Sequence, residues 1–225
     1  MKQYLPEFLR KYKATQLILA FFIFWTPVLL FAKLANEIVE KDPIAFDEGI
    51  LQWLHAQSSP ALESVFFFFT TMGNVEFILP IALLIFGTLL YKKQRRNALL
   101  FAFGVGGAAL ANFILKLIFQ RDRPSFWESI VIEHGYSFPS GHAMVSSALV
   151  LSLIVILWNT RWRIPTIIVG GTIAVMIALS RLYFGVHFPT DIIAGWSVSI
   201  IWVTIVTIVA KNIISKRSAQ LKPNV

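Results

Sequence analysis

Residues 180–191 read SRLYFGVHFPTD and lie between two long apolar runs. Upstream, residues 164–179 read IPTIIVGGTIAVMIAL; downstream, residues 192–210 read IIAGWSVSIIWVTIVTIVA. With its margins, each run meets the roughly 18 apolar residues that mark a membrane-crossing helix. An arginine, a histidine and an aspartate are costly to hold between two such segments. The stretch is therefore read as a functional site whose partners lie elsewhere in the chain.

The rest of the composition agrees with a lipid setting. The chain has 225 residues with a mean hydropathy of +0.69, and only 14% are charged. We expect an all-α polytopic membrane protein forming one domain over residues 1–225. Six spans are predicted, at about 14–34, 75–91, 97–119, 141–158, 164–184 and 189–210, with boundaries good to about three residues. The first run is read as a retained span, not a cleaved leader, because it is long and has no small-residue cleavage site. Residues 61–72 are apolar but too short to span and are expected to form an interfacial or re-entrant helix. The acid-bearing stretch 35–60 carries no motif. Cysteine is absent, which excludes disulfides, thiolate metal sites and a cysteine nucleophile.

The net charge of +8 could suggest nucleic acid, but its distribution does not. Fourteen of the 20 lysines and arginines fall at the two ends of the chain and in the loops after the second and fourth spans. Among the 12 acids, only Glu7 shares that side. By the positive-inside rule that side is cytoplasmic and holds both termini. The basic residues then set topology, and no nucleic-acid partner is expected. All four histidines fall on the outer side.

Three short stretches meet at that outer boundary. In KLIFQRDRP, residues 116–124, Lys116 and Arg123 are seven apart and would share a face if the helix continued, with Pro124 ending it. In PSGH, residues 139–142, Ser140 is a good N-cap and Gly141 admits close approach of a ligand to the backbone. The helix start is itself an anion site. In the opening stretch, Arg181 is followed by His187 and by Asp191. Pro189 suits the first turn of the sixth span and puts Asp191 within reach of the His187 ring.

These residue types point to phosphoryl chemistry. Lys116, Arg123 and Arg181 with a helix N-terminus match a group carrying about −1.5 to −2 charge, such as a phosphate monoester. Two histidines suit a nucleophile and a general acid. Asp191 would fix the tautomer of His187 and stabilise the imidazolium, making His187 the nucleophile and His142 the acid. No carboxylate cluster is needed, so no metal or other cofactor is expected. His55 and His134 are taken as ordinary outer-loop residues. Trp127, Tyr136 and Phe138 are assigned to an interfacial aromatic belt, with the lining of a lipid entry as the alternative, and the FFFF run at 66–69 to lipid contact or packing.

The motifs K-x6-RP, PSGH and SR-x5-H-x3-D, all intact here, resemble those of the type 2 phosphatidic acid phosphatase superfamily. The resemblance implies a helical bundle core of the acid-phosphatase kind, shared with soluble vanadium haloperoxidases. It implies His187, His142 and Asp191 as catalytic residues and Lys116, Arg123, Ser140, Gly141 and Arg181 as phosphate ligands. It further implies a bacterial plasma-membrane lipid phosphatase with its site at the outer, periplasmic face. The expected substrate is a phospholipid or polyprenyl phosphate, with phosphatidylglycerophosphate ahead of undecaprenyl diphosphate and phosphatidic acid. The rivals of other classes are a lipid phosphotransferase and an anionic-lipid transporter; the sequence leaves the oligomeric state open.

Overall fold

The computed structural model describes residues 14–40 and 45–220. The basic residues Lys2, Arg10, Lys11, Lys13, Lys41 and Lys222 lie outside them, as does Glu7. Among the described residues there is no strand. The helices run α1 (Ala14–Glu40), α2 (Ala45–Ala56), α3 (Pro60–Met72), α4 (Val75–Tyr91), α5 (Arg95–Phe119), α6 (Gly141–Leu157), α7 (Arg163–Pro165), α8 (Gly171–Tyr183) and α9 (Pro189–Gln220). A single π-helical turn, Thr166–Gly170, joins α7 to α8.

Among the described residues, four helical segments are long and apolar enough to cross a membrane: Phe21–Glu40, Arg95–Phe119, Arg163–Tyr183 and Pro189–Asn212. A fifth crossing is possible if α3 and α4, bent by 49° at Gly73 and Asn74, act as one broken span. At 17 residues, α6 falls just below the usual length for a crossing. The expected first span extends farther than the sequence suggested, as α1 continues to Glu40. The motif-free stretch after it contains a whole helix, α2.

Packing follows the membrane pattern, in which small residues let helices approach and large apolar side chains face outward. Leu84 is 71% exposed and Ile118 is 64% exposed. The central helices α5, α6 and α9 pack on one another around Ala108, Met144, Ala148 and Val203. On one side, α4 covers α5 through Leu89, Ala98, Phe101 and Val105; on the other, α1 lies along α9. A third cluster, Leu51, Ala143, Ala178, Leu182 and Ile192, ties α2 to the ends of α6, α8 and α9. Gly195 lets α9 approach the start of α6 closely, because a Cβ there would stand 2.9 Å from the Ser140 carbonyl oxygen.

Chain direction then concentrates the polar groups. The basic turns before α5 and before α7 lie at one end of the bundle. The end of α5, the start of α6, the end of α8 and the start of α9 gather at the other.

Candidate active site

At that second end, Ser140 caps α6, accepting from the Ala143 N–H at 3.4 Å, while its own N–H donates to the Asp191 carbonyl at 3.0 Å. This bond couples the PSGH turn to the first turn of α9. From that turn Asp191, fully buried, places Oδ2 3.2 Å from Nδ1 of His187 and 2.9 Å from the Phe188 N–H. The His187 Nε2 lies 3.2 Å from Nη1 of Arg123. With Nδ1–H donated to the carboxylate, Nε2 carries the lone pair. The ring is 1% exposed. Burial first, then the cations Arg123, Arg181 and Lys116, holds its pKa well below the ordinary histidine value. The resting ring is therefore neutral.

A cavity of about 410 Å³ opens beside this ring, lined by Lys116, Arg123, Glu133, Gly141, His142 and His187 among others. Arg123 is fixed by backbone carbonyls: Nε donates to Gly135 at 2.9 Å and Nη1 to Val186 at 2.8 Å. Burial lowers its pKa from the free-guanidinium value, with Glu133 and Asp191 opposing the shift. Lys116 donates to the Tyr136 carbonyl. Arg181 is 0% exposed; it donates to Thr70 Oγ1 and pairs with Glu133, while its buried Nε has no protein partner. An unpartnered guanidinium N–H in a buried site is suited to an anion that completes it. His142 holds Asn74 Oδ1 at 2.9 Å through Nε2. Gly141 sits against Asn112, whose Oδ1 would be 3.0 Å from any Cβ placed there. Asn112 in turn donates to the Pro139 carbonyl at 3.0 Å.

All eight residues singled out in the sequence therefore converge on one end of the bundle. Three expectations change. Lys116 and Arg123 do not share a helical face, because Gln120 adopts a left-handed conformation (φ 47°) and closes α5 at Phe119. They meet at the cavity because the following segment turns back, with Ser137 N–H donating to the Arg121 carbonyl at 2.8 Å. The aromatic belt does not hold for Phe138, which is 0% exposed and packed with Leu34 and Ala194, while Tyr136 lines the cavity. Trp127 stacks on His55, with ring centroids 4.1 Å apart. Finally, His55 lies in the last turn of α2 and not in a loop, whereas His134 is a loop residue as expected, its backbone carbonyl accepting from Arg123 at 3.3 Å.

Sequence reasoning missed Glu133, which pairs with both Arg123 and Arg181. It also missed Thr70 and Asn74, from the motif-free region, which hold Arg181 and His142. Among the described residues, no three His, Asp or Glu side chains gather in a way that could hold a metal ion.

Fixed cations, a capped helix start and a carboxylate-oriented imidazole surround one cavity, an arrangement suited to holding an anion beside an unprotonated ring nitrogen. Residues 97–215 match the PAP2 superfamily. The chain belongs to that superfamily. Phosphatidylglycerophosphatase B of Bacillus subtilis is 30% identical over 178 residues, covering 77% of this chain and 87% of that protein. An undecaprenyl-diphosphatase of Sulfolobus acidocaldarius is 26% identical, over 78% of this chain and 85% of that protein. The crystal structure of a transmembrane PAP2-type phosphatidylglycerolphosphate phosphatase from Bacillus subtilis superposes with a TM-score of 0.71 at 27% identity. It covers 88% of this chain and 98% of that one. The chain is thus a hydrolase of the PAP2 membrane phosphatase fold.

Proposed function

We propose that the protein is a single-domain, metal-independent lipid phosphatase that works through a phosphohistidine. His187 Nε2 attacks the terminal phosphorus, and the bond to the leaving oxygen breaks as His142 delivers a proton to it. Asp191 balances the imidazolium charge. Water then attacks the phosphorus of the phosphohistidine, giving its proton to His142. The His187–phosphorus bond breaks, and phosphate leaves. Lys116, Arg123, Arg181 and the α6 start, with Ser140 and Gly141, hold the equatorial oxygens. The observation that carries this reading is His187, paired at 3.2 Å with Asp191, facing a cavity walled by Lys116, Arg123 and His142.

The substrate class follows from what adjoins that cavity. An apolar groove of about 850 Å³ runs between α4 and α5, lined by Ile78, Leu79, Phe86, Phe101 and Val105, and reaches Gly141 and His142. A phosphate in the polar cavity with its hydrocarbon in the groove is a membrane lipid. Phosphatidylglycerophosphate is the favoured substrate, by analogy with the Bacillus relative, and undecaprenyl diphosphate is the second reading, by analogy with the Sulfolobus one. We extend the topology to six crossings with both termini cytoplasmic, which puts the site at the outer face of the plasma membrane of a bacterium.

The test is phosphate release by purified protein in detergent with excess EDTA, the two lipids side by side, for wild type and His187→Ala. Turnover by wild type alone supports the reading, and the ratio of kcat/KM names the better substrate. Unchanged turnover in His187→Ala contradicts it. Phosphate passed to a lipid acceptor instead of water would make the protein a phosphotransferase, and transport without turnover a transporter.

A further inference from the structure

Behind the His187–Asp191 pair, on the side away from the cavity, lies a second set of charges that the phosphatase reading does not use. Asp191 has two carboxylate oxygens. Oδ2 serves His187, while Oδ1 accepts from Nη1 of Arg121 at 2.7 Å. Arg121 is not a wall of the cavity that Arg123, two residues on, helps to line. Its Nη2 reaches instead to Oδ2 of Asp47 at 2.8 Å, and its guanidinium lies 3.9 Å from the Phe188 ring centre.

Asp47 belongs to α2, in the region without motifs, and is 3% exposed. A buried acid needs partners for both oxygens. Here Oδ1 accepts from the Thr190 N–H at 3.0 Å, and Oδ2 accepts from the Thr190 hydroxyl at 2.6 Å as well as from Arg121. The Thr190 N–H is one of the free donors in the first turn of α9, so Asp47 also satisfies that helix start from outside it. The result is a line of alternating acidic and basic groups, Asp47–Arg121–Asp191–His187, joined by hydrogen bonds at one end of the bundle.

The line has a consequence for chemistry. Arg121 alone would neutralise Asp191 and weaken its hold on the imidazolium that phosphoryl transfer creates. Asp47 neutralises Arg121, so Asp191 keeps its charge for His187, while Arg121 fixes which oxygen faces the ring.

We propose that Asp47 and Arg121 are positioning residues for the His187–Asp191 pair, supplied from behind by α2 and by the segment after α5. The proposal rests on the reading of His187 as nucleophile.

The experiment measures kcat, KM and the inhibition constant for orthovanadate, with phosphatidylglycerophosphate in detergent. The variants are Arg121→Ala, Arg121→Lys, Asp47→Asn and the double Asp47→Asn/Arg121→Ala, with His187→Ala as control. Arg121→Ala is expected to lower kcat about 30-fold, well short of the roughly 10⁴-fold lost when the carboxylate that orients a catalytic histidine is itself replaced. KM and the vanadate constant should stay within about threefold, because neither residue touches the cavity. Arg121→Lys should recover part of kcat. The double variant should be no slower than Arg121→Ala, as expected of residues acting as one unit.

A parallel rise in the vanadate constant would make Arg121 a phosphate ligand and overturn the proposal. So would full kcat in Arg121→Ala or in Asp47→Asn. Should Arg121→Ala fail to fold, Arg121→Lys and Asp47→Asn, which keep the side-chain size, decide by the same split. An active His187→Ala overturns the nucleophile reading itself. An inactive His187→Ala beside a fully active Arg121→Ala overturns only the positioning role.

Discussion

Two regions of this chain build one site and look entirely different as sequence. Residues 116–191 carry every motif and supply the cations, both histidines and Asp191. Residues 35–74 carry none, yet Asp47, Thr70 and Asn74 from this region hold Arg121, Arg181 and His142. The difference separates two tasks. Groups that meet phosphate must be particular residue types at particular spacings. Groups that only hold those side chains need one oxygen in the right place, which many sequences can provide.

That division is sharpest at its extremes. Replacing His187 by Ala should cost more than about 10³-fold in kcat/KM, near the upper part of a single catalytic group's contribution. A loss under tenfold would place the nucleophile elsewhere and dissolve the distinction. On the other side, Asn74→Ala should lower kcat about tenfold with little change in KM, because it frees the His142 ring without touching phosphate oxygens. A loss as large as that of His187→Ala would move Asn74 into the chemistry itself.

Glu133 tests the boundary between the regions' roles. Its carboxylate pairs with Arg123 at 3.5 Å and also with Arg181, where a phosphate would bind. An incoming phosphate must share or displace it. Glu133→Gln should therefore tighten orthovanadate inhibition by about tenfold, the scale of one charge-assisted hydrogen bond regained. Weaker inhibition would mean that Glu133 organises the arginines for the anion instead of competing with it.

The smallest effect is in pH. His187 faces Asp191 from α9, Arg123 from the segment after α5, Arg181 from α8 and Lys116 from α5. Burial and the three cations lower its pKa from the ordinary 6.5. The nucleophile is lost only when the ring is protonated, so the acid limb of kcat/KM should fall below pH 6.5 once the substrate's second ionisation, near about 6, is allowed for. An acid limb above 7 would mean that the ring is more basic than its surroundings dictate.

The motif region was legible because ionisable groups stand out against apolar spans. Lys116, Arg181 and Asp191 have few bland reasons to be there. The all-helical class and the long apolar segments of α1, α5, α8 and α9 were legible from run length. What stayed hidden depends on tertiary contact. Asp47 meets Thr190 across 143 residues, and Thr70 meets Arg181 across 111. One polar residue in an already polar stretch gives no local signal. The end of α5 was misjudged because nothing about Gln120 announces a left-handed turn. Phe138 was misassigned because an aromatic near a membrane boundary has the same sequence signature in the core as in the headgroup layer.

The central claim is that phosphate passes through His187 before reaching water. The stereochemical course of hydrolysis tests it most directly, using phosphatidylglycerophosphate with a chiral, isotopically labelled terminal thiophosphate in labelled water with EDTA present. Two in-line displacements, on and off His187, predict retention of configuration at phosphorus. Inversion would mean a single direct attack by water and would contradict the phosphohistidine account.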